Sequence, residues 1–236
     1  MSYRHTLRAV ESVAQWGIYT PQGRNLRWMP ERFDTGTGPL DRELDGGFTP
    51  GTLAAYVAGP AEQAETLLFQ LATRRPTTYV TTVTPPDKVE STIESMAGMG
   101  GADELAVHSF RRGDSADSLL DSLSIREETF VIVDAANALE HADPKAYHDF
   151  LTQFAQELQA TDSVGILHAV AGNDLPTTRD WTLRAADLIL RLTVDYTSIE
   201  PETLLRIQKT RGKRPPDEAL KIKLGQAVEI DTSWDM

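Results

Sequence analysis

At 236 residues the chain is long enough for one large domain with a sizeable core. It contains no cysteine, which excludes disulfides, thiolate chemistry and cysteine-based zinc sites; no apolar run reaches bilayer length, and the N-terminus, with Arg4, His5, Arg8 and Glu11, lacks the apolar core of a secretory signal, so no membrane partner and a cytoplasmic location are expected. Against 23 Lys+Arg stand 35 Asp+Glu, a formal net charge of −12 with only six lysines, and this balance opposes broad, sequence-independent binding to DNA.

Residues 1–32 form an aromatic-rich lead (Tyr3, Trp16, Tyr19, Trp28) with a helix expected over 5–15 and a turn at Pro21-Gln22-Gly23. Two readings stay open for it: an arm that docks on a neighbouring subunit, or a cap on its own domain. Residues 33–236 read as that domain. From residue 52 onward, short apolar runs alternate with helical patterns, the signature of a parallel sheet covered by helices. A strand over 52–58 leads into a helix carrying Leu67, Leu68 and Leu71. A strand over 77–82 is followed by Pro85-Pro86 and a helix with Val89, Ile93 and Met96 at helical spacing. Next come a strand over 104–110, a short helix with Leu119, Leu120 and Leu123, and the apolar run Phe130-Val131-Ile132-Val133. Asp143-Pro144 opens a further helix as N-cap and first-turn proline, with Phe150, Leu151, Phe154 and Leu158 facing the core. Strands are expected over 164–169 and 188–192. Beyond Asp195 the pattern turns strand-rich, at 203–208, 220–224 and 227–230, and predicts a terminal antiparallel extension. There is no internal repeat.

The loop after the first strand reads Gly59-Pro60-Ala61-Glu62-Gln63-Ala64-Glu65-Thr66. A phosphate-cradling loop reads G-x-x-x-x-G-K-[ST]; Gly59 and Thr66 occupy its first and last positions, while Ala64 and Glu65 replace its second glycine and its lysine. Ahead of it lie Thr35, Gly36, Leu40, Asp41, Leu44, Gly46, Gly47 and Gly51. These residues fit the run T-G-x-x-x-L-D-x-x-L-x-G-G-x-x-x-G, and over about residues 33 to 230 the chain resembles the RecA superfamily, in particular its archaeal KaiC-like and RadA-like P-loop ATPases. The resemblance implies a three-layer αβα fold with a mostly parallel sheet. The acidic, lysine-poor composition looks like that of a haloarchaeal protein; an ordinary acidic mesophile protein is the alternative.

The resemblance also implies three catalytic parts. In the loop, glutamate for lysine at 65 changes the local charge by two units beside a polyanion, Ala64 is expected to resist a positive φ, and Glu62 adds a further negative charge. The acidic pair that positions the attacking water maps onto Val83 and Thr84, which cannot accept a proton. Phe130-Val131-Ile132-Val133-Asp134 fits a Walker B strand, with Asp134 holding magnesium through water if the metal binds, although Ala135 replaces the usual Ser or Thr; a buried strand with a polar last residue is the plainer reading. Lys209-Thr210-Arg211-Gly212 resembles the K-x-R pair that reaches the phosphates of an adjacent subunit, which makes Lys209 and Arg211 a candidate interface finger; a solvated hairpin turn weighs equally. His168 stands where such proteins place a γ-phosphate sensor, or is a satisfied histidine at a strand end, and the spacing of His141 and His148 does not suit a helical metal pair.

The expected function is therefore a non-hydrolysing RecA/KaiC-like pseudo-ATPase, with no catalytic residue and a weakened nucleotide site at Gly59, Thr66 and Asp134. It would act as a regulatory or structural partner of itself or of an active relative. No cofactor is expected, beyond ATP and magnesium held weakly. The alternative is an atypical ATP-binding protein of DNA recombination, repair or signalling, with Arg74, Arg75 or a neighbour's Arg211 in place of the lysine, or with DNA on the basic turn over 209–214.

Overall fold

A computed structural model describes residues 31–97, 104–111, 114–197, 201–225 and 228–230. They belong to the unit Glu31–Met236. The helix and turn expected over residues 1–30 lie outside the described residues, as does Ala227, the first residue of the last expected strand.

The described strands are β1 (Leu53–Ala58), β2 (Thr77–Thr81), β3 (Leu105–Ser109), β4 (Phe130–Asp134), β5 (Val164–Val170), β6 (Leu188–Asp195), β7 (Glu202–Thr210), β8 (Leu220–Leu224) and β9 (Val228–Ile230). They form one sheet in the order β3-β2-β4-β5-β1-β6-β7-β8-β9. The first six are parallel, and β7 to β9 are antiparallel, as expected. Strands β1, β2 and β4 are buried along their whole length, because helices cover both faces and no position is left for a polar alternation.

On one face Tyr56, Tyr79, Ile132 and Ile166 pack against α2 (Glu65–Ala72) and α3 (Pro86–Ala97), through Leu67, Leu68, Val89 and Ile93. On the other, Val131, Val133 and Leu167 pack against α4 (Ala116–Leu123) and α6 (Pro144–Ala160). Asp143 caps α6 as its sequence predicts, its Oδ1 accepting the N–H groups of Lys145 at 3.0 Å and Ala146 at 3.1 Å. Gly165 lets α6 approach the sheet: a Cβ there would stand 2.5 Å from Leu158 Cδ1. Short helices α1 (Gly38–Glu43), α5 (Asn137–Glu140) and α7 (Arg179–Ala185) join those expected. Among the described residues no helix is long and apolar enough to cross a membrane.

The run before β1 is built for its own structure. Asp41 Oδ1 accepts the Thr35 N–H at 2.8 Å, and Gln70 of α2 donates to Thr35 O at 2.9 Å and to Thr37 Oγ1 at 2.8 Å. The Gln70 Oε1 also accepts the Val228 N–H at 2.7 Å, so one buried amide ties this run to β9. Gly47, at φ +115, leaves no room for a side chain, since a Cβ would lie 2.1 Å from Phe33 O.

Candidate functional site

In an open parallel sheet, ligands bind beyond the carboxyl ends of the strands. Strand β1 delivers Gly59 to that edge, and the loop turns there into α2. The loop closes on itself: the Gly59 N–H donates to Glu62 Oε2 at 2.5 Å, and the Glu62 N–H donates back to Gly59 O at 3.2 Å. Thr66 N–H donates to Gln63 O at 3.2 Å. Ala64 does not take a positive φ; it is right-handed at φ −56, and the left-handed residue is Gln63 at φ 53, one place earlier. Moving the strained turn off position 64 lets Ala64 pack its methyl into the core at 2% exposure. Glu65 is exposed, and its carboxylate makes no hydrogen bond or ion pair among the described residues.

Beneath the loop, the register brings four polar side chains together. Thr81 pairs with Asp134, Asp134 with His168, and His168 with Tyr56, across β2, β4, β5 and β1. Asp134 is 7% exposed. Its Oδ2 accepts the Tyr79 hydroxyl at 2.8 Å, and its Oδ1 lies 2.6 Å from His168 Nδ1, so both carboxylate oxygens are engaged. The Tyr56 and His168 rings lie 5.6 Å apart, and Tyr56 Oη and His168 Nε2 are the only buried side-chain polar atoms among the described residues without a partner. Burial pushes the Tyr56 phenol well up, with the carboxylates of Glu65 and Glu62 adding to the shift. Burial likewise raises Tyr79, seconded by Asp134. Val83 is 85% exposed and Thr84 donates its N–H to Thr81 Oγ1 at 3.1 Å, while Asp87 lies in the first turn of α3, so no carboxylate stands at positions 83 and 84.

Lys209 and Arg211 lie at the opposite edge. Thr210 pairs with Leu188, which pairs with Ala54, so the two cations flank the amino end of β1. A strand of six residues at about 3.3 Å each separates them from their own loop by about 20 Å. Lys209 lies within β7 instead of following it. Its ammonium donates to Leu183 O and Arg184 O at 3.0 Å each, and Arg211 ion-pairs with Asp187 and donates to Ala185 O at 3.0 Å. Both therefore satisfy carbonyls at the C-terminus of α7. Desolvation, then the charge of Arg211, pushes the Lys209 ammonium below its ordinary value. Arg74 and Arg75 also sit at this edge: Arg74 pairs with Asp34 at 2.7 Å, and Arg75 stacks 4.4 Å above Phe33 and reaches Glu128. Neither stands where it would replace the lysine of its own loop.

The register thus joins Gly59, Thr66 and Asp134 at one edge and leaves Lys209 and Arg211 at the other. The partners of Asp134, namely Tyr79 and His168, and the closing carboxylate of Glu62 are what spacing did not reveal. Among the described residues no group of three or more His, Asp or Glu is placed to hold a metal ion, and His141 and His148 contribute to none.

The family described as "Family of unknown function (DUF7125)" matches residues 32–236. No curated protein matches the chain. Among solved structures, the KaiC-like protein PH0186 of the hyperthermophilic archaeon Pyrococcus horikoshii OT3 is similar over 85% of this chain and 98% of its own, at 16% identity and a TM-score of 0.66. The RadB recombinase is similar over 84% of this chain and 98% of its own, at 19% identity and a TM-score of 0.65. At such identities the likeness speaks for the fold, which is RecA-like, with helices on both faces of a mostly parallel sheet and an antiparallel extension.

Proposed function

The chain belongs to the DUF7125 family, and we propose that it is a RecA/KaiC-like protein that does not hydrolyse ATP and acts in the cytoplasm as a regulatory or structural partner of another protein. The observation that carries this reading is the bond from the Gly59 N–H to Glu62. A phosphate loop works by presenting backbone N–H groups and a positive side chain to an anion. Here the chain's own carboxylate takes the first N–H, and Glu65 puts a negative charge where the lysine would be. One charge pair at about 4 Å is worth about 1 kcal/mol in water and about 4 kcal/mol at an effective dielectric near 20, so reversing it costs decades of affinity.

Two further observations support the reading. A water on magnesium would have to share the buried Asp134 carboxylate with Tyr79 and His168, which already hold one acceptor site on each of its oxygens, and Val83 and Thr84 offer no base. The loop is then a degenerate Walker A motif, and the acidic, lysine-poor surface is that of a haloarchaeal protein.

Calorimetry of ATP and ADP with magnesium, in molar KCl, tests this reading. We expect no binding heat from the wild type and a gain of binding in the double variant Glu62→Ala, Glu65→Lys. Micromolar binding by the wild type would overturn it.

One observation supports a second reading, an atypical ATP-binding protein of recombination, repair or signalling: Asp134 ends β4, Thr66 lies in the first turn of α2, and the Thr66 hydroxyl makes no hydrogen bond among the described residues. ATP turnover by the wild type, abolished by Asp134→Ala, would establish it.

A further inference from the structure

Helices α6 and α7 pack beside each other, tied by the bond between the Tyr147 and Thr182 hydroxyls at 2.7 Å. Past that bond a groove of about 550 Å³ opens between them, running from His148 to Gln159 on α6 and from Trp181 to Ala185 on α7. Leu151 and the small side chains of Ala155 and Ala185 give it an apolar lining. At one end the half-buried Trp181 indole meets the His148 ring at 87°, with centroids 5.8 Å apart. A groove of this size accommodates a ligand of one or two rings.

The polar groups along the groove are unused. The Arg184 guanidinium, exposed in the last turn of α7, makes no hydrogen bond or ion pair among the described residues, and neither do the Trp181 indole N–H and the side-chain amides of Gln156 and Gln159. In a chain of net charge −12, no Asp or Glu lines this groove. Asp149, next to His148 in the sequence, is held by Lys145 at 2.8 Å. The carbonyls that end α7 would oppose an anion through the helix dipole, but Lys209 and Arg211 donate to Leu183 O, Arg184 O and Ala185 O at 3.0 Å each. Those bonds also fix the turn that carries Arg184.

We propose that this groove binds a small aromatic carboxylate, with its ring against Trp181 and its carboxylate on Arg184. A guanidinium offers a planar fork that matches a carboxylate through two parallel N–H bonds, and this one is left free although the chain has acids in excess. The apolar lining selects against a bare inorganic anion. Both walls are helices whose backbone groups are bonded within the helix, so a peptide main chain would find no ladder to join, and a free small acid fits better than a peptide carrying the same groups. The groove lies on a helix-covered face, away from the loop at the carboxyl edge, so the proposal does not depend on whether a nucleotide occupies that loop.

Titration of the full chain with cinnamate, followed through the indole N–H signals of its four tryptophans by proton–nitrogen correlation NMR, tests this. The Trp181 signal, identified by its loss in Trp181→Phe, is expected to move and to saturate with a Kd below about 1 mM, while the other three stay in place. Cinnamamide, which has the same shape and no charge, should bind about tenfold more weakly. Arg184→Gln changes an exposed side chain and should weaken cinnamate about tenfold while leaving cinnamamide unaffected. Ala155→Phe fills the groove with Arg184 in place and should abolish binding of both. A Trp181 signal that does not saturate, equal binding of cinnamate and cinnamamide, or indifference to Arg184→Gln each overturns the proposal. So does tighter binding of acetyl-triglycyl-phenylalanine than of cinnamate, which would assign the groove to a peptide end.

Discussion

Two buried polar clusters flank the carboxyl ends of β4 and β5, one on each face of the sheet, and they are finished to different degrees. In the first, the Glu140 carboxylate receives the Arg179 guanidinium at 2.7 Å and 2.9 Å and the Thr182 hydroxyl, while Thr178 donates to the Glu140 carbonyl. Arg179 also reaches Val170 O at 3.2 Å, and Tyr147 pairs with Thr182 at 2.7 Å. Two opposite charges are buried there and none of their buried polar atoms lacks a partner. In the second, Asp134, Tyr79 and His168 bond one another, yet His168 Nε2 and Tyr56 Oη are left over. A closed network fixes α5, α7 and β5 in place. The open one lies beneath the loop at the carboxyl edge of the sheet, and two of its polar atoms stay unpaired.

The contrast breaks most visibly at the closed cluster. Arg179→Leu leaves the Glu140 carboxylate buried and unpaired, and should cost about 3–5 kcal/mol in urea unfolding. The double variant Glu140→Leu, Arg179→Leu should recover most of that loss, since apolar packing replaces a buried pair with little net penalty. If the double variant is no better than the single one, the network contributes through its bonds and not merely through charge balance. Asp134→Ala ranks next. It strips the acceptor from Tyr79 and from His168, two buried groups at about 1–2 kcal/mol each, for a loss of about 2–4 kcal/mol.

How far each cluster could be read beforehand follows from what its parts require. The central strands were legible because uninterrupted apolar runs such as 130–133 have no other economical place, and Asp143-Pro144 announced α6 by its capping chemistry. Helix α7 escaped because its buried face is made by Arg179 and Thr182, which look like surface residues until Glu140 is set opposite them. At the loop, the substitutions at 64 and 65 and the aspartate at 134 were visible as identities. The closing bond from Glu62 depends on a left-handed Gln63, and the engagement of Asp134 depends on the register of four strands. Neither is written in local spacing.

The phenols extend the comparison to high pH, because each cluster holds buried tyrosine. Burial raises Tyr147 in the closed cluster, and Tyr56 and Tyr79 in the open one. The unfolded phenol ionises near its ordinary value of 10.0, whereas the folded one stays neutral. Their contribution is thus fully present below pH 10 and is lost as pH rises above it, at about 1.4 kcal/mol per pH unit for each phenol. Denaturant midpoints measured from pH 9 to 11 should fall with this slope, and Tyr147→Phe and Tyr56→Phe should each remove one phenol's share.

The smallest effect separates the clusters most sharply, and it has opposite signs in them. Tyr147→Phe deletes a hydroxyl bonded to Thr182 and leaves the Thr182 hydroxyl with one partner fewer, which costs about 1 kcal/mol. Tyr56→Phe deletes a hydroxyl that has lost water on folding and gained no partner in the chain. Removing it should therefore be neutral or stabilising by up to about 1 kcal/mol at pH 7, with the ring still packed beside His168. A loss of stability instead would mean that Tyr56 Oη and His168 Nε2 share a bound water, which closes the second cluster as fully as the first. The urea midpoint of this one variant thus decides whether the polar site beneath the loop is dry and open or wet and complete.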